Sequence, residues 1–114
     1  MEKEIDEIMQ IYDRFIEVVK EFSMDSEKQL EKLKGFAVAD EIANDFCEIG
    51  MMYAKELVES EWITIEQFEM AKEIENELNQ MSSHKELWDE DALLNSQQWE
   101  DCREKGKVLL LTLE

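Results

Sequence analysis

Apolar residues recur every three or four positions along most of the chain, which is the spacing of one face of an α-helix. The first segment shows the pattern most clearly and predicts a helix over about residues 2–22. Its apolar positions are Ile5, Ile8, Met9, Tyr12, Phe15, Ile16, Val19 and Phe22. A second stripe at the same spacing runs from Ala39 to Leu57. We therefore expect an all-α fold, a compact bundle of four to six helices in a single domain that covers 1–114.

Helix starts are indicated where Ser or Thr precedes Gln or Glu by three residues, the spacing of a capping box. Ser96 is expected to cap the last helix, whose apolar face carries Trp99 and Leu109. The three predicted boxes are Ser26 with Gln29, Thr64 with Gln67, and Ser83 with Glu86. The helix that starts at the Thr64 box is expected to run to about Met81.

Two boundaries stay open in the pattern. Gly35 could end a helix or lie inside a longer one, so residues 26–60 form either one helix or two. Residues 108–113 are expected to be helical, although their apolar run would also suit a strand. Proline is absent and only three glycines are present, which favours helix throughout.

The composition indicates a folded protein of the reducing cytosol. Hydrophobic residues make up 44% of the chain, enough to build a core. Cys47 and Cys102 are too few for a disulfide framework, and both are expected to act as buried apolar side chains. The N-terminus lacks the apolar run of a signal peptide, and no segment is long enough to span a bilayer. We expect a soluble, cytoplasmic protein.

Charge is distributed unevenly along the chain. There are 30 acidic and 12 basic residues, a formal net charge of −18. Residues 35–102 contain 18 acidic residues against only Lys55, Lys72 and Lys85. Such a surface repels nucleic acid and anionic membranes and attracts cationic proteins. Because helices usually pair Glu with Lys one turn away, the shortage of Lys indicates a basic partner. The alternative is an acidic face that is merely solvated.

The predicted partner-binding surface combines these acidic stretches with two adjoining tryptophans. Carboxylates would pair with Lys and Arg of the partner around an aromatic anchor, Trp62 or Trp88. The alternative for each is that it packs the end of a helix into the core, as is expected of Trp99. The predicted site residues are Asp40, Glu41, Asp45, Glu48, Glu56, Glu59, Glu61, Trp62, Glu66, Glu69, Trp88, Asp89, Glu90 and Asp91.

The chain offers few groups for catalysis. His84 is the single histidine and is expected at the surface, and no Gly-rich phosphate loop is present. Asp40, Glu41, Asp45 and Glu48 loosely resemble the metal-binding helix of the all-α nucleotide pyrophosphohydrolases but lack its doubled ExxE–ExxD order. We expect no catalytic residue, metal or cofactor. Carboxylate pairs that could offer oxygen ligands to Mg²⁺ are Glu4/Glu7, Asp45/Glu48, Glu56/Glu59, Glu66/Glu69, Glu86/Asp89 and Asp101/Glu104.

These features favour a protein that inhibits a basic effector. Most concretely, we expect an immunity protein that neutralises a toxin nuclease domain by covering its positively charged active-site surface. Three alternatives remain: a nucleic-acid mimic that regulates a DNA-binding protein, a Mg²⁺-dependent all-α nucleotide hydrolase, and a helical adaptor or homodimer that packs through Met51–Met52. The oligomeric state is left open.

Overall fold

Six α-helices and no strand make up residues 4–113, the part of the chain that the computed structural model describes. The third helix passes through a π-helical segment, and a short 3₁₀ helix, Lys85–Leu87, precedes the fifth. The all-α prediction is confirmed. The helices are α1 (Ile5–Ser23), α2 (Ser26–Lys32), α3 (Val38–Asn44, the π-helical Asp45–Gly50, then Met51–Glu59), α4 (Ile65–Met81), α5 (Glu90–Asn95) and α6 (Gln97–Leu113).

Both open boundaries are resolved. Residues 26–60 form two helices, α2 and α3, separated by a turn in which Gly35 has a φ of 94°. A left-handed φ is readily available only to glycine, so Gly35 stops the first of the two helices. Residues 108–113 lie within α6 and are helical. The first helix begins at Ile5, and residues 2 and 3 of its predicted span lie outside the described residues.

The capping box at the start of α4 is confirmed in both directions. The Gln67 backbone N–H donates to Thr64 Oγ1 at 3.0 Å, and the Thr64 N–H donates to Gln67 Oε1 at 2.8 Å. The expected cap of α6 also forms, because Ser96 Oγ accepts a hydrogen bond from the Trp99 N–H at 3.3 Å. Both helix starts therefore follow from local sequence.

The other two predicted boxes are wrong. Asp25 is the N-cap of α2, and the Gln29 side chain is buried, where its Nε2 donates to the carbonyls of Glu21 and Phe22 at 2.9 and 3.0 Å. Gln29 thus caps the end of α1 rather than the start of its own helix. After α4, Ser83 Oγ donates back to the Gln80 carbonyl at 3.2 Å, and the 3₁₀ helix starts without a side-chain cap.

The core lies where α1 packs against α3 and α6. The rings of Phe22 and Phe46 pack with their centroids 4.7 Å apart and their planes tilted by 40°, and a Cβ built on Gly50 would lie 3.1 Å from Val18 Cγ1. Val18 of α1 lies beside Gly50 of α3, and Phe22, further along α1, lies beside Phe46, earlier in α3. The two helices are therefore antiparallel. Trp99 is fully buried as expected, and its Nε1 donates to the Leu87 carbonyl at 2.6 Å. One hydrophobic cluster therefore joins the described helices.

Candidate functional site

The predicted acidic residues all lie at the surface. On α3, Asp40, Glu41 and Glu48 are exposed and Asp45 is half-buried; their set is called the α3 acidic face. Around the turn between α3 and α4 lie Glu59, Glu61, Trp62, Glu66 and Glu69, all exposed, which are called the turn cluster. Glu56 lies between the two sets, half-buried. A helix rises 1.5 Å per residue, so Asp40 and Glu59 are about 28 Å apart.

Ion pairs between described residues use other acids than these two sets. Lys105 of α6 contacts Glu73 and Glu77 of α4, each at 2.9 Å, and these carboxylates raise its pKa. None of the pairs includes a member of the α3 acidic face or the turn cluster. The remaining pairs are Lys32 with Glu21, His84 with Glu86, Arg103 with Glu100 and Lys107 with Glu104. The acidic residues chosen from sequence thus form no ion pair with other described residues, Glu56 apart, and the same holds for exposed acids of α1 and α2 such as Glu17 and Glu31.

The third predicted group, at the start of α5, has local roles. Asp89 Oδ1 accepts a hydrogen bond from the Ala92 N–H at 2.7 Å and so caps α5. Asp91 Oδ1 accepts from Asn95 Nδ2 at 3.0 Å, one turn along the same helix. Glu90 is exposed. The helix start therefore accounts for two of these three carboxylates, because negative charge is favourable at a helix N-terminus.

The pKa of Asp45 is raised by its position in the α3 acidic face. Burial is the main cause that raises its pKa, and the charges of Glu41, Glu21 and Glu48 raise it further. Burial likewise raises the pKa of Cys47 to about 11, with added effect from Glu75 and Glu48. Glu21 of α1, which is paired with Lys32, and Glu75 of α4 therefore border the same region. Both were missed in the sequence, because nothing in local spacing shows that α1 and α4 border this part of α3.

Replacing Asp45 with Asn is expected to stabilise the protein at neutral pH. Because the pKa is raised, the folded state holds this proton more tightly than the unfolded chain does. Stability therefore falls as pH rises from the ordinary value of 3.8 through the folded-state pKa, and the penalty persists above it. Urea denaturation should show a gain for Asp45→Asn at pH 7 that disappears below pH 3.8. Asp40→Asn, at a more exposed position of the same helix, should gain less, and equal gains would contradict this assignment.

The turn cluster begins with a Schellman motif that ends α3. The Trp62 N–H donates to the Leu57 carbonyl at 2.9 Å, and the Glu61 N–H donates to the Val58 carbonyl at 3.2 Å. Glu61 takes the left-handed position of the motif, with a φ of 61°. Glycine is preferred there because a Cβ is strained in that conformation. A charged side chain thus occupies a position that favours glycine.

Glu61→Gly is expected to raise the free energy of unfolding by about 0.5 kcal/mol. Left-handed backbone costs an L-residue about 1 kcal/mol, and the extra freedom of glycine in the unfolded chain offsets part of the gain. Thermal unfolding measures the effect. Glu61→Ala removes the same charge but keeps the strained backbone, so it should give no such gain. Equal stabilisation by both variants would instead point to relief of charge repulsion.

The two candidate tryptophans occupy different environments. Trp62 is exposed, and its ring lies 6.0 Å from the ring of Tyr12. Trp88 is half-buried, its Nε1 donates to the Met81 carbonyl at 2.9 Å, and its ring meets Trp99 edge-on at 5.5 Å. Trp88 therefore packs the end of α4 into the core, the alternative considered for it. Trp62 is the aromatic residue that the predicted surface can offer to a partner.

The groups that could carry other chemistry are dispersed. Within residues 4–113, no three His, Cys, Asp or Glu side chains are placed to hold a metal ion. His84 is exposed, as expected, and lies 3.5 Å from Glu86. Cys102 is buried, and burial raises the pKa of its thiol to about 12. Cys47 is only half-buried rather than fully enclosed.

No protein-family model, curated protein or solved structure matches this chain. In the part of the chain that the structure describes, none of the helices has the length and apolar character needed to cross a membrane.

Proposed function

We propose that this protein inhibits a basic effector by binding it, most concretely as an immunity protein that neutralises a toxin nuclease domain. The observation that carries the proposal is that two groups of acids, consecutive in the chain, have no counter-ion among the described residues. Ion pairs join α1 to α2 and α4 to α6, whereas the α3 acidic face and the turn cluster have none with described residues. Like charges held together without counter-ions favour association with a cation.

A nuclease is a suitable partner because its substrate-binding surface must attract phosphates. That surface carries Lys and Arg, and a negatively charged protein can cover it and exclude the nucleic acid. Complementary charge also speeds the encounter, which an inhibitor of a lethal enzyme requires. Inhibition by occlusion needs no catalytic group in the inhibitor.

The dimensions suit one interface of ordinary size. The bundle measures 44 × 25 × 24 Å along its principal axes. The acidic surface extends for about 28 Å along α3, and an interface of about 800 Å² per partner is roughly 30 Å across. The α3 acidic face and the turn cluster can therefore contact a single partner at once. Trp62 supplies an aromatic side chain within that area, as interface hot spots often do.

The test begins with the reading frames that adjoin the gene for this protein. Each is expressed alone and scored for toxicity, then co-expressed with this protein and scored for rescue. We expect one frame to encode a toxic nuclease with a basic domain, and its toxicity to be suppressed. Absence of any toxic neighbour that this protein rescues would contradict the immunity role.

A pair of variants with equal charge locates the contact. The test variant neutralises the α3 acidic face through Asp40→Asn, Glu41→Gln, Asp45→Asn and Glu48→Gln. The control neutralises four exposed acids in the second half of α1 and in α2 with its N-cap through Glu17→Gln, Asp25→Asn, Glu27→Gln and Glu31→Gln. We expect the first to weaken binding roughly 10- to 100-fold and the second to leave rescue intact. Equal loss in both would mean that only net charge matters.

A further inference from the structure

We infer that the basic partner makes its apolar contact at one end of the bundle, on the Tyr12–Trp62 ring pair, with a cationic segment that carries large apolar side chains. This rests on the proposed function, because the occupant is the same basic protein. It adds where the contact is centred and what chemistry the partner presents there. The end is formed by the first half of α1, the α3–α4 turn and the last turn of α6, and is called the Trp62 end.

Hydrogen bonds between helices hold the Trp62 end together. The Tyr12 hydroxyl donates to the Leu113 carbonyl at 2.7 Å, which ties α1 to the end of α6, while the Tyr12 ring contacts Trp62. Gln67 Nε2 donates to the Thr112 carbonyl at 2.9 Å, which ties the first turn of α4 to the same end of α6. Trp62 is thus held on a framework of three helices. A pre-organised aromatic side chain loses little conformational entropy on binding.

Exposed apolar side chains lie on the helix segments that form the Trp62 end. Ile5 and Met9 share a helical face with Tyr12, at spacings of seven and three residues. Ile65 follows the turn directly. Scattered exposed apolar residues are ordinary, but several beside one aromatic pair are typical of a binding surface. Their exposed fractions are 68% for Ile5, 49% for Met9, 36% for Trp62 and 70% for Ile65.

Charge selects the occupant of this surface. Glu59, Glu61 and Glu66 lie within four residues of Trp62 in the chain, are exposed, and form no ion pair with another described residue. A second copy of this chain would bring the same net charge of −18 and be repelled. In a segment that carries Lys or Arg together with large apolar side chains, the basic groups can pair with these carboxylates while the apolar side chains contact the Tyr12–Trp62 ring pair. Apolar centres ringed by polar groups are the usual arrangement of protein interfaces.

The experiment uses two synthetic peptides of equal length and charge. One carries Lys and Leu at helical spacing, and the other replaces each Leu with Ser. The full chain, ¹⁵N-labelled, is titrated with each peptide while acrylamide quenching of tryptophan fluorescence is followed, a signal to which exposed Trp62 contributes more than half-buried Trp88 or buried Trp99. We expect the Lys/Leu peptide to bind at least roughly 10-fold more tightly, to shift the resonances of Tyr12, Trp62 and Ile65, and to protect Trp62.

Variants at exposed positions test the contact without unfolding the protein. Ile65→Ser changes a side chain that is mostly exposed and should lower Lys/Leu affinity toward that of the Lys/Ser peptide. Trp62→Ala should act in the same direction, and Trp62→Phe should retain most of the affinity. Leu94→Ser, at an exposed apolar position on α5, is the matched control and should have no effect.

The outcomes separate this inference from the function on which it rests. Equal binding of both peptides, with shifts confined to the α3 acidic face, would overturn the Trp62 end and leave the acidic surface standing. Sedimentation of the free protein as a dimer that shields Trp62 would identify a second copy as the occupant and also overturn it. Binding of neither peptide would count against both proposals.

Discussion

Replacing Arg103 with alanine is expected to lower the free energy of unfolding by about 3 kcal/mol. Arg103 is buried in α6, where its Nη1 donates to the Leu93 carbonyl at 3.0 Å and its Nη2 donates to Glu100 Oε2 at 3.1 Å. Truncation leaves the carbonyl of Leu93 without its donor and opens a cavity. Glu100 is about half exposed, so the loss of its partner adds little.

Two comparisons isolate the cause of this loss. Arg103→Met keeps most of the side-chain volume while removing both hydrogen bonds, so it should cost about half as much. Lys107→Ala removes a half-exposed cation from the same helix, paired with Glu104 at 3.3 Å, and should cost less than about 0.5 kcal/mol. Urea denaturation followed by circular dichroism measures all three. An Arg103→Ala protein as stable as Lys107→Ala would contradict the buried position.

Gly106→Ala is expected to lower the free energy of unfolding by about 2 kcal/mol. A Cβ at this position would lie 2.3 Å from Ser23 Oγ and 3.2 Å from Phe22 Cδ2, so α6 could not approach α1 as closely as it does. The sign is informative, because alanine in an unconstrained helix is about 1 kcal/mol better than glycine. A net loss therefore measures the packing of α6 on α1.

A second substitution, at Ser23, is expected to relieve this clash. Ser23 Oγ donates to the Val19 carbonyl, one turn back in α1, and its removal gives the new methyl group room. Adding Ser23→Ala to Gly106→Ala should therefore restore most of the lost stability. Gly50→Ala should have a smaller effect, because its nearest neighbour is a single methyl of Val18 at 3.1 Å. A double variant as unstable as Gly106→Ala alone would place the strain elsewhere.

The helices could be predicted because their periodicity reflects the core itself. Phe15, Val19, Phe22 and Leu109 stand at helical spacing in the sequence and are buried in the structure. Helix starts were less secure, since a capping box competes with tertiary contacts for the same side chains. The Thr64 box forms at an exposed turn, whereas Gln29 is drawn into the core by carbonyls at the end of α1.

Charge compensation across the fold could not be predicted from local spacing. Glu73 and Glu77 lack a basic neighbour on the outer face of their own helix, yet Lys105 pairs with both from α6, 32 residues away in the case of Glu73. Counting basic residues along the sequence did predict that Asp40, Glu41 and Glu48 lack a counter-ion, and no other described residue pairs with them. The Tyr12–Trp62 contact is equally invisible in sequence, since it joins positions 50 residues apart.

The π-helical segment also has no local signal. Gly50 meets α1 closely enough that its Cβ would press on Val18, and Phe46 packs on Phe22 one turn earlier. Both contacts face α1 across the wider turn of Asp45–Gly50. An extra residue in that turn leaves Glu48 and Ile49 exposed on the outer side. This change of register depends on the packing between two helices.

Titration calorimetry with the basic protein identified by rescue most directly tests whether the unpaired acids form the binding surface. The wild-type protein should bind tightly at low salt and much more weakly at high salt, because exposed charges are screened. Neutralising the α3 acidic face should weaken binding roughly 10- to 100-fold and flatten the salt dependence, while the α1 and α2 control behaves as wild type. An unchanged affinity and salt dependence in the α3 variant would contradict the account.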